Sequence, residues 1–177
     1  MMTGTQMDIL KTAIDWTKAE MLSSAIFAML GILFLLASYG FWQFGKTEVA
    51  KAYVIPLLVV GSLLFILGVG LVIPNALRLS NFPIAFNVDA SAFIAAEIAR
   101  VDKTINGYNN AIFIGIPIII AICTALIIFL NSSIWHASAI SVIAMMAIIL
   151  LVDTNANARL ETYKSKLIEA QQQAMDS

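Results

Sequence analysis

Residues 104–152 read TINGYNNAIFIGIPIIIAICTALIIFLNSSIWHASAISVIAMMAIILLV, a run of 49 residues without Asp, Glu, Lys or Arg. A transmembrane helix needs about 20 consecutive apolar residues, so this run is long enough to cross a bilayer twice. Asn131-Ser132-Ser133 lies near its middle, and three polar residues between two apolar runs are typical of the turn of a helical hairpin. The stretch therefore predicts two membrane-spanning helices, the third and fourth spans of the chain.

Two earlier runs without charge predict the first and second spans. They cover residues 21–45 and 52–77, which is 25 and 26 residues. Trp16 and Trp42 bracket the first run, as aromatic residues do at the two interfaces of a membrane. The chain is 60% hydrophobic and only 12% charged, whereas soluble domains are about 25% charged. The predicted fold is an all-α integral membrane protein with four transmembrane helices and the lipid bilayer as its main surroundings.

Charged stretches divide the chain into five segments. In order they are an N-terminal amphipathic segment (1–20), a first hairpin (21–78), a cytoplasmic linker with an amphipathic helix (79–109), a second hairpin (110–152) and a C-terminal cytoplasmic helix (153–177). Met7, Leu10, Ile14 and Met21 recur at helical spacing and predict the apolar face of the first segment.

Prolines predict the irregular points of the helices. Asn81-Phe82-Pro83 is expected to break the helix that follows the second span, and Asn87 or Asp89 is expected to cap the next one. Pro117 is expected to kink the third span, because it removes a backbone donor in mid-helix.

Two apolar stripes predict that the third and fourth spans extend as helices into water. One consists of Ile94, Ile98, Val101 and Ile105, at spacings of 4, 3 and 4, and the other of Leu160, Tyr163 and Leu167. Such spacing places each set on one side of a helix. The two stripes are expected to cover each other or the surface of a partner.

The distribution of basic residues predicts the orientation. An even number of spans places both termini and the 78–109 segment on one side, together with eight of the ten lysines and arginines. Lys46 and Lys51 are on the other side. Basic residues accumulate in cytoplasmic loops, so both termini are expected in the cytoplasm and the protein in the inner cell membrane.

Several common types of site are excluded by the sequence. Residues 40–47, GFWQFGKT, match the P-loop pattern but end an apolar helix instead of following a strand, so no nucleotide is expected. One cysteine, Cys123, and one histidine, His136, cannot form a His/Cys metal cluster. A net charge of −1 gives no basic field for nucleic acid. No cofactor and no metal are therefore expected.

Four charged residues form the candidate site. Glu20, Arg78, Lys103 and Asp153 each adjoin an apolar run on the cytoplasmic side. Asp153 falls on the packing face of the fourth span, and an unpaired buried charge is costly, so Lys103 or Arg78 is expected to pair with it. The alternative is that all four are solvated and only mark the ends of the spans.

The sequence favours a non-catalytic membrane protein that binds a membrane partner or itself, such as a subunit of a complex or an immunity or accessory protein. No nucleophile–base pair is visible, so an enzyme is not expected. The alternative is a small oligomeric channel or transporter. The absence of charge midway along the four runs argues against ion-coupled transport, which uses acids or broken helices at the midplane.

Overall fold

The computed structural model describes residues 4–175, and every regular element in this range is a helix. The helices are α1 (Gly4–Phe44), α2 (Glu48–Ala52), α3 (Val54–Val88), α4 (Ala90–Asn110), a π-helical segment (Ala111–Gly115), α5 (Ile116–Phe129) and α6 (Ser133–Met175). Side chains are described for residues 8–108 and 110–173. The predicted all-α fold is confirmed for this part of the chain.

Four helical stretches of the described residues are long and apolar enough to cross a membrane. They are Asp8–Phe44, Glu48–Val88, Ala90–Phe129 and Ser133–Gln173. The turn predicted at Asn131-Ser132-Ser133 is also present, since α5 ends at Phe129 and α6 begins at Ser133. The amide of His136 donates to the carbonyl of Ser132 at 3.0 Å and closes the first turn of α6.

Helices α1 and α3 form the closest pair, because glycines let their backbones approach. A methyl group added to Gly31 would stand 2.5 Å from the amide nitrogen of Phe65, and one added to Gly61 would stand 2.9 Å from the carbonyl oxygen of Gly31. The hydroxyl of Ser38 also donates to the carbonyl of Val54 at 2.7 Å. Helix α6 packs against both members of this pair, whereas α5 packs against α6.

The break expected at Asn81-Phe82-Pro83 is wrong, because α3 continues through Pro83 to Val88. A proline inside a helix costs about 3 kcal/mol. Phe82 and Phe86 are buried on the inner side of this stretch, and each meets the ring of Phe93 edge to face. Burying a large apolar side chain contributes roughly 1.5–3 kcal/mol, so two phenylalanines offset the cost of one proline.

Helix α4 begins at the cap that the sequence offered. The carboxylate of Asp89 accepts from the amide of Ala92 at 2.9 Å, which is the geometry of a helix N-cap. At its other end α4 continues into α5 through the π-helical segment. There the amide of Ile116 donates to the carbonyl of Ala111, five residues earlier, directly before Pro117. The third span and its extension are therefore one helical stretch with an irregular turn.

The first segment does not form a separate element, because α1 runs without interruption from Gly4 to Phe44. Its buried apolar residues are Ile9, Ala13 and Trp16, whereas Leu10 and Ile14 of the predicted face are only partly buried. The side chain of Met7 lies outside the described ones. The predicted apolar face is thus displaced, because the core contacts made by Trp16 set the rotation of the helix.

The two apolar stripes meet inside the chain. Ile94, Val101, Leu160, Tyr163 and Leu167 are buried in one core, and Ile98 and Ile105 pack against it half-buried. The remaining buried members of this core come from α1, the end of α3, the start of α4 and the end of α6: Ile9, Ala13, Trp16, Phe82, Phe86, Phe93 and Ala170. The stripes therefore cover each other, which leaves neither of them free for a partner.

Candidate functional site at the charged end of the bundle

The charged end of the bundle, residues 8–20, 78–103 and 153–173, contains a buried carboxylate with three hydrogen bonds. Arg100 donates from Nε to Glu97 Oε1 at 2.9 Å and from Nη2 to Glu97 Oε2 at 2.6 Å. Tyr163 of α6 donates its hydroxyl to the same Oε2 at 3.0 Å. Two parallel bonds between a guanidinium and a carboxylate are among the stronger polar contacts in proteins, and the tyrosine joins α4 to α6.

Trp16 of α1 completes this arrangement from the other side. Its ring stacks on the ring of Tyr163, with centroids 5.2 Å apart and planes 9° apart. The guanidinium carbon of Arg100 lies 4.7 Å from the centroid of Trp16, within the range of a cation–π contact. Trp16, Glu97, Arg100 and Tyr163 thus form a closed ring of contacts, the four-residue ring, which joins α1, α4 and α6. The interface role expected for Trp16 is wrong, because this side chain is buried in the core.

The electrostatics of the four-residue ring fix its protonation states. Burial lowers the pKa of Arg100, but the hydrogen bonds and the charge of Glu97 outweigh burial and leave this pKa above its ordinary value. Burial raises the pKa of Tyr163, and the charge of Glu97 raises it further. Arg100 therefore stays cationic and Tyr163 stays a neutral donor near neutral pH.

Glu20, one of the predicted site residues, pairs with a residue that the sequence did not suggest. Arg159 of α6 has its Nη2 3.6 Å from Glu20 Oε2, and the same Nη2 donates to Ser23 Oγ at 2.7 Å. Burial raises the pKa of Glu20, and the neighbouring Arg159 opposes this rise. These contacts join α1 to α6 one turn away from the four-residue ring.

Asp153 was expected to pair with Lys103 or Arg78, and this expectation is wrong. Within the described residues no lysine or arginine nitrogen lies within 4 Å of its carboxylate. Lys103 is exposed on α4, and Arg78 donates to Asn75 Oδ1 at 3.0 Å, so neither side chain turns towards Asp153. Asp153 follows the last residue of the apolar run and is half-buried beside Glu20. Burial and the charge of Glu20 raise its pKa to about 7.

Of the four predicted residues, Glu20 is the one that links two others, since the charge of Arg78 acts on Glu20 and the charge of Glu20 acts on Asp153. Lys103 stands apart. Sequence reasoning missed Trp16, Glu97, Arg100 and Arg159. An acid and a base at spacing 3, such as Glu97 and Arg100, is a local signal for an ion pair on a helix. Arg159 has no such signal, because Ser23 is 136 residues away in the chain.

The remaining reactive side chains are held by ordinary structural contacts. A ring nitrogen of His136, Nε2, lies 3.1 Å from the carbonyl oxygen of Ile127, which ties the start of α6 to the end of α5. Cys123 is buried on α5. In the described part of the chain, no three His, Cys, Asp or Glu side chains are grouped to hold a metal ion. The contacts of the four-residue ring hold α1, α4 and α6 in a fixed register at the end of the apolar spans.

No protein-family model, curated protein or solved structure matches the chain. Its function is therefore inferred from its own residues and contacts.

Proposed function

We propose that the chain is a non-catalytic inner-membrane protein with both termini in the cytoplasm, and that it associates within the membrane with another protein or a second copy through one flank of α5. The apolar stripes of α4 and α6 are covered inside the chain. Support for association therefore comes from α5, the span with the least internal packing.

Helix α5 is packed on one side only. Of the most apolar stretch of its span, 17% of the residues are buried, against 33% in the span that contains α3. Its buried side chains are Ile116 and Cys123, and its main neighbour among the other spans is α6. Most of the surface of α5 is therefore open to lipid or to a further helix.

The open surface of α5 includes two small residues, Ala121 and Thr124, of the kind that is buried at helix contacts in the other spans. Pro117, Ala121 and Thr124 are exposed, and spacings of 4 and 3 place them on one flank of the helix. In the other spans six small residues are buried, although Gly70 and Ala147 are exposed; the six are Ser24, Gly31, Gly61, Gly68, Ala137 and Ser141. The exposed flank of α5 is the observation that carries the proposal.

Small residues matter here because lipid gives no hydrophobic drive for helices to associate. Helices in a bilayer pair through close contact of their backbones, and small side chains permit that contact. The hydroxyl of Thr124 is already satisfied, since it donates to the carbonyl of Ile120 at 2.8 Å. A helix from another protein can therefore approach this flank without leaving a polar group unpaired.

The test is cross-linking in native membranes. A Thr124→Cys variant that also carries Cys123→Ala is expected to form a cross-linked species containing either two copies or one partner, and adding Ala121→Leu is expected to abolish it. Ala147, exposed on α6, provides the control, since Ala147→Leu adds the same volume elsewhere. A cross-link that survives Ala121→Leu would refute the role of α5. Flux through purified protein in liposomes would instead favour the alternative of a small oligomeric channel or transporter.

A further inference from the structure

An apolar groove lies between the end of α3 and the start of α4, at the charged end of the bundle. Its volume is ≈ 560 Å³, within the range of roughly 300–1,000 Å³ that is typical of binding pockets. Its apolar lining residues are Phe82, Ala85, Val88, Ala92, Phe93 and Ala96, and the polar ones are Arg78, Asn81, Asp89 and Glu97. A single residue, Asp89, joins the two helices at its closed end. Three of the six apolar lining residues are alanines, so the backbone of another segment can come close.

The groove carries the exposed apolar surface of the charged end. Among the described residues of that end, the exposed large apolar side chains are Ile84, at 65%, and Val88, at 82%. Val88 lines the groove, and Ile84 lies one turn before it on the same side of α3. Elsewhere at this end, the large apolar side chains of α1, α4 and α6 are buried or half-buried. The unusual exposure is thus confined to the α3 side of the groove.

The two ends of the groove carry opposite charges. Arg78 lies at the membrane end, and within the described residues no carboxylate oxygen is within 4 Å of its guanidinium. Burial and the nearby cation Arg100 lower the pKa of Arg78, and the charges of Glu97 and Glu20 only partly oppose this. Asp89 lies at the other end, exposed, and caps α4.

The length of the groove and the charges at its two ends define which segment can bind in it. Eleven residues separate Arg78 from Asp89 on α3, which corresponds to about 16 Å of helix. A helix of similar length has a partial positive charge at its N-terminus and a partial negative charge at its C-terminus. When this helix lies in the groove with its N-terminus at Asp89 and its C-terminus at Arg78, each of its ends meets the opposite charge. An acid near that C-terminal end would give Arg78 the carboxylate that it lacks.

We propose that the α3–α4 groove is the docking site for a short amphipathic helix of a different protein, with an apolar face against Val88 and Ile84 and an acidic residue that pairs with Arg78. The inference shares with the proposed function only the insertion of the spans in a bilayer. It involves no residue of α5, so either proposal can fail while the other stands.

A second copy of the chain is a poor occupant. Two copies inserted in the same direction are related by a two-fold axis along the membrane normal, and a two-fold interface brings the same patch of each copy together. Every residue then meets the other copy at its own depth. Arg78 would lie near a second Arg78, and the one acid of the groove besides Asp89, Glu97, is already bonded to Arg100 and Tyr163.

The bilayer itself does not cover the groove. Residues 52–77 form the apolar run of this span, so Arg78 lies at its end and Val88 about 15 Å further along a straight helix. The headgroup layer adds only about 5–8 Å on each side of the hydrocarbon. The part of the groove around Val88 and Asp89 therefore lies in water.

Two synthetic peptides test the proposal on the full chain in nanodiscs. Both are 14-residue helix-forming peptides with leucines along one face, and they differ only in ending with Glu or with Lys. Fluorescence anisotropy is expected to show binding of the Glu peptide about tenfold tighter than the Lys peptide, which corresponds to 1.4 kcal/mol. Arg78→Gln is expected to abolish this preference, while Arg78→Lys keeps it. Val88→Asp is expected to weaken binding of both peptides.

Control variants separate docking from damage to the fold. Lys166, exposed on α6, is away from the groove, so Lys166→Gln should leave both affinities unchanged. Thermal stability of Arg78→Gln and Arg78→Lys is measured in parallel, so that a preference lost only through unfolding would be lost in both. Three results would overturn the proposal: equal binding of the two peptides, no binding of either, or self-association of the chain that Val88→Asp abolishes.

Discussion

At the scale of single residues, Glu97 is the most constrained charge in the described part of the chain. It is buried, and it accepts three hydrogen bonds from two different helices. A buried charge is stable only when such bonds replace the water that it loses. Removing the charge of Glu97 leaves Arg100 without its anion and Tyr163 without an ionised acceptor.

The first prediction follows from that dependence. Removing one partner of a buried pair costs about 3–5 kcal/mol, and the lower end applies because the side chain of Arg100 is 21% exposed. Glu97→Gln should therefore lower the free energy of unfolding by about 3 kcal/mol, or the melting temperature in detergent by roughly 6–12 °C. Glu169→Gln, which removes an exposed charge from α6, should change it little. Equal effects of the two substitutions would show that the four-residue ring does not stabilise the fold.

The second prediction concerns the pH dependence of stability. Folding raises the pKa of Asp153 from 3.8 to about 7. Between these two values the folded chain binds more protons than the unfolded chain, so stability falls as the pH rises through this window, and the penalty is complete above about pH 7. Glu20 acts in the same direction, because burial raises its pKa as well.

The chain should therefore melt at a higher temperature at pH 5 than at pH 8, and Asp153→Asn should remove part of the difference. Partial exposure of Asp153 to solvent reduces the effect to about 1–2 kcal/mol. Asp15→Asn, at an exposed position of α1, is the matched control and should retain the full difference. An unchanged pH dependence in Asp153→Asn would contradict the assignment.

At the scale of helices, the pairing of α1 with α3 depends on glycine. The added methyl groups at Gly31 and Gly61 would meet backbone atoms of the opposite helix, which cannot move aside as a side chain can. Gly70, on α3 as well, has open space at the same position, with nothing within 4 Å. Alanine substitutions at these three glycines therefore distinguish the effect of close packing from the intrinsic helix preference of alanine.

The third prediction uses this difference. Gly61→Ala should destabilise the protein by about 1–3 kcal/mol, because overpacking forces the two helices apart. Gly70→Ala should be neutral or stabilising by up to about 1 kcal/mol, since alanine is the better helix former. Melting temperatures of the two variants decide the matter, and a Gly61→Ala variant as stable as Gly70→Ala would rule out backbone contact at this crossing.

The helices also show which structural features are encoded locally. The stripes of α4 and α6 were predictable, because a repeat of 3 and 4 residues appears in any short window that contains it. The continuation of α3 through Pro83 was not, since it depends on Phe82 and Phe86 meeting Phe93, a contact that forms only in three dimensions. The same holds for Trp16, whose partners Tyr163 and Arg100 come from other helices.

At the scale of the whole molecule, the orientation in the membrane is the main prediction. In a Cys123→Ala background, Thr47→Cys and Ser133→Cys should react with an impermeant thiol reagent added outside the cell membrane. Ser165→Cys, exposed on α6 at the charged end, should react only after the cells are opened. The reason is the excess of lysine and arginine at the charged end, which favours retention in the cytoplasm. Labelling of Ser165→Cys from outside would reverse the orientation.

The candidate site was predictable in position and not in pairing. Residues next to the ends of four apolar runs must lie at similar depth, so Glu20, Arg78 and Asp153 were found together from their places in the sequence. Which base faces which acid depends on the rotation of each helix about its axis, and neighbouring residues on a helix differ by about 100°. Arg159 reaches Glu20 and Lys103 does not, for that reason.

Helix α6 is continuous over 43 residues, about 65 Å at 1.5 Å per residue. Such a rod has no loop in which to absorb a displacement. It is fastened to α1 by the stacking of Tyr163 on Trp16 and by the bond from Arg159 to Ser23, so these contacts act as a fulcrum. A tilt of about 5° about these contacts would carry the Ser133 end by about 4 Å and the Met175 end by about 2 Å in the opposite direction. A force that displaces the Ser133 end of α6 would therefore displace its charged end in the opposite direction.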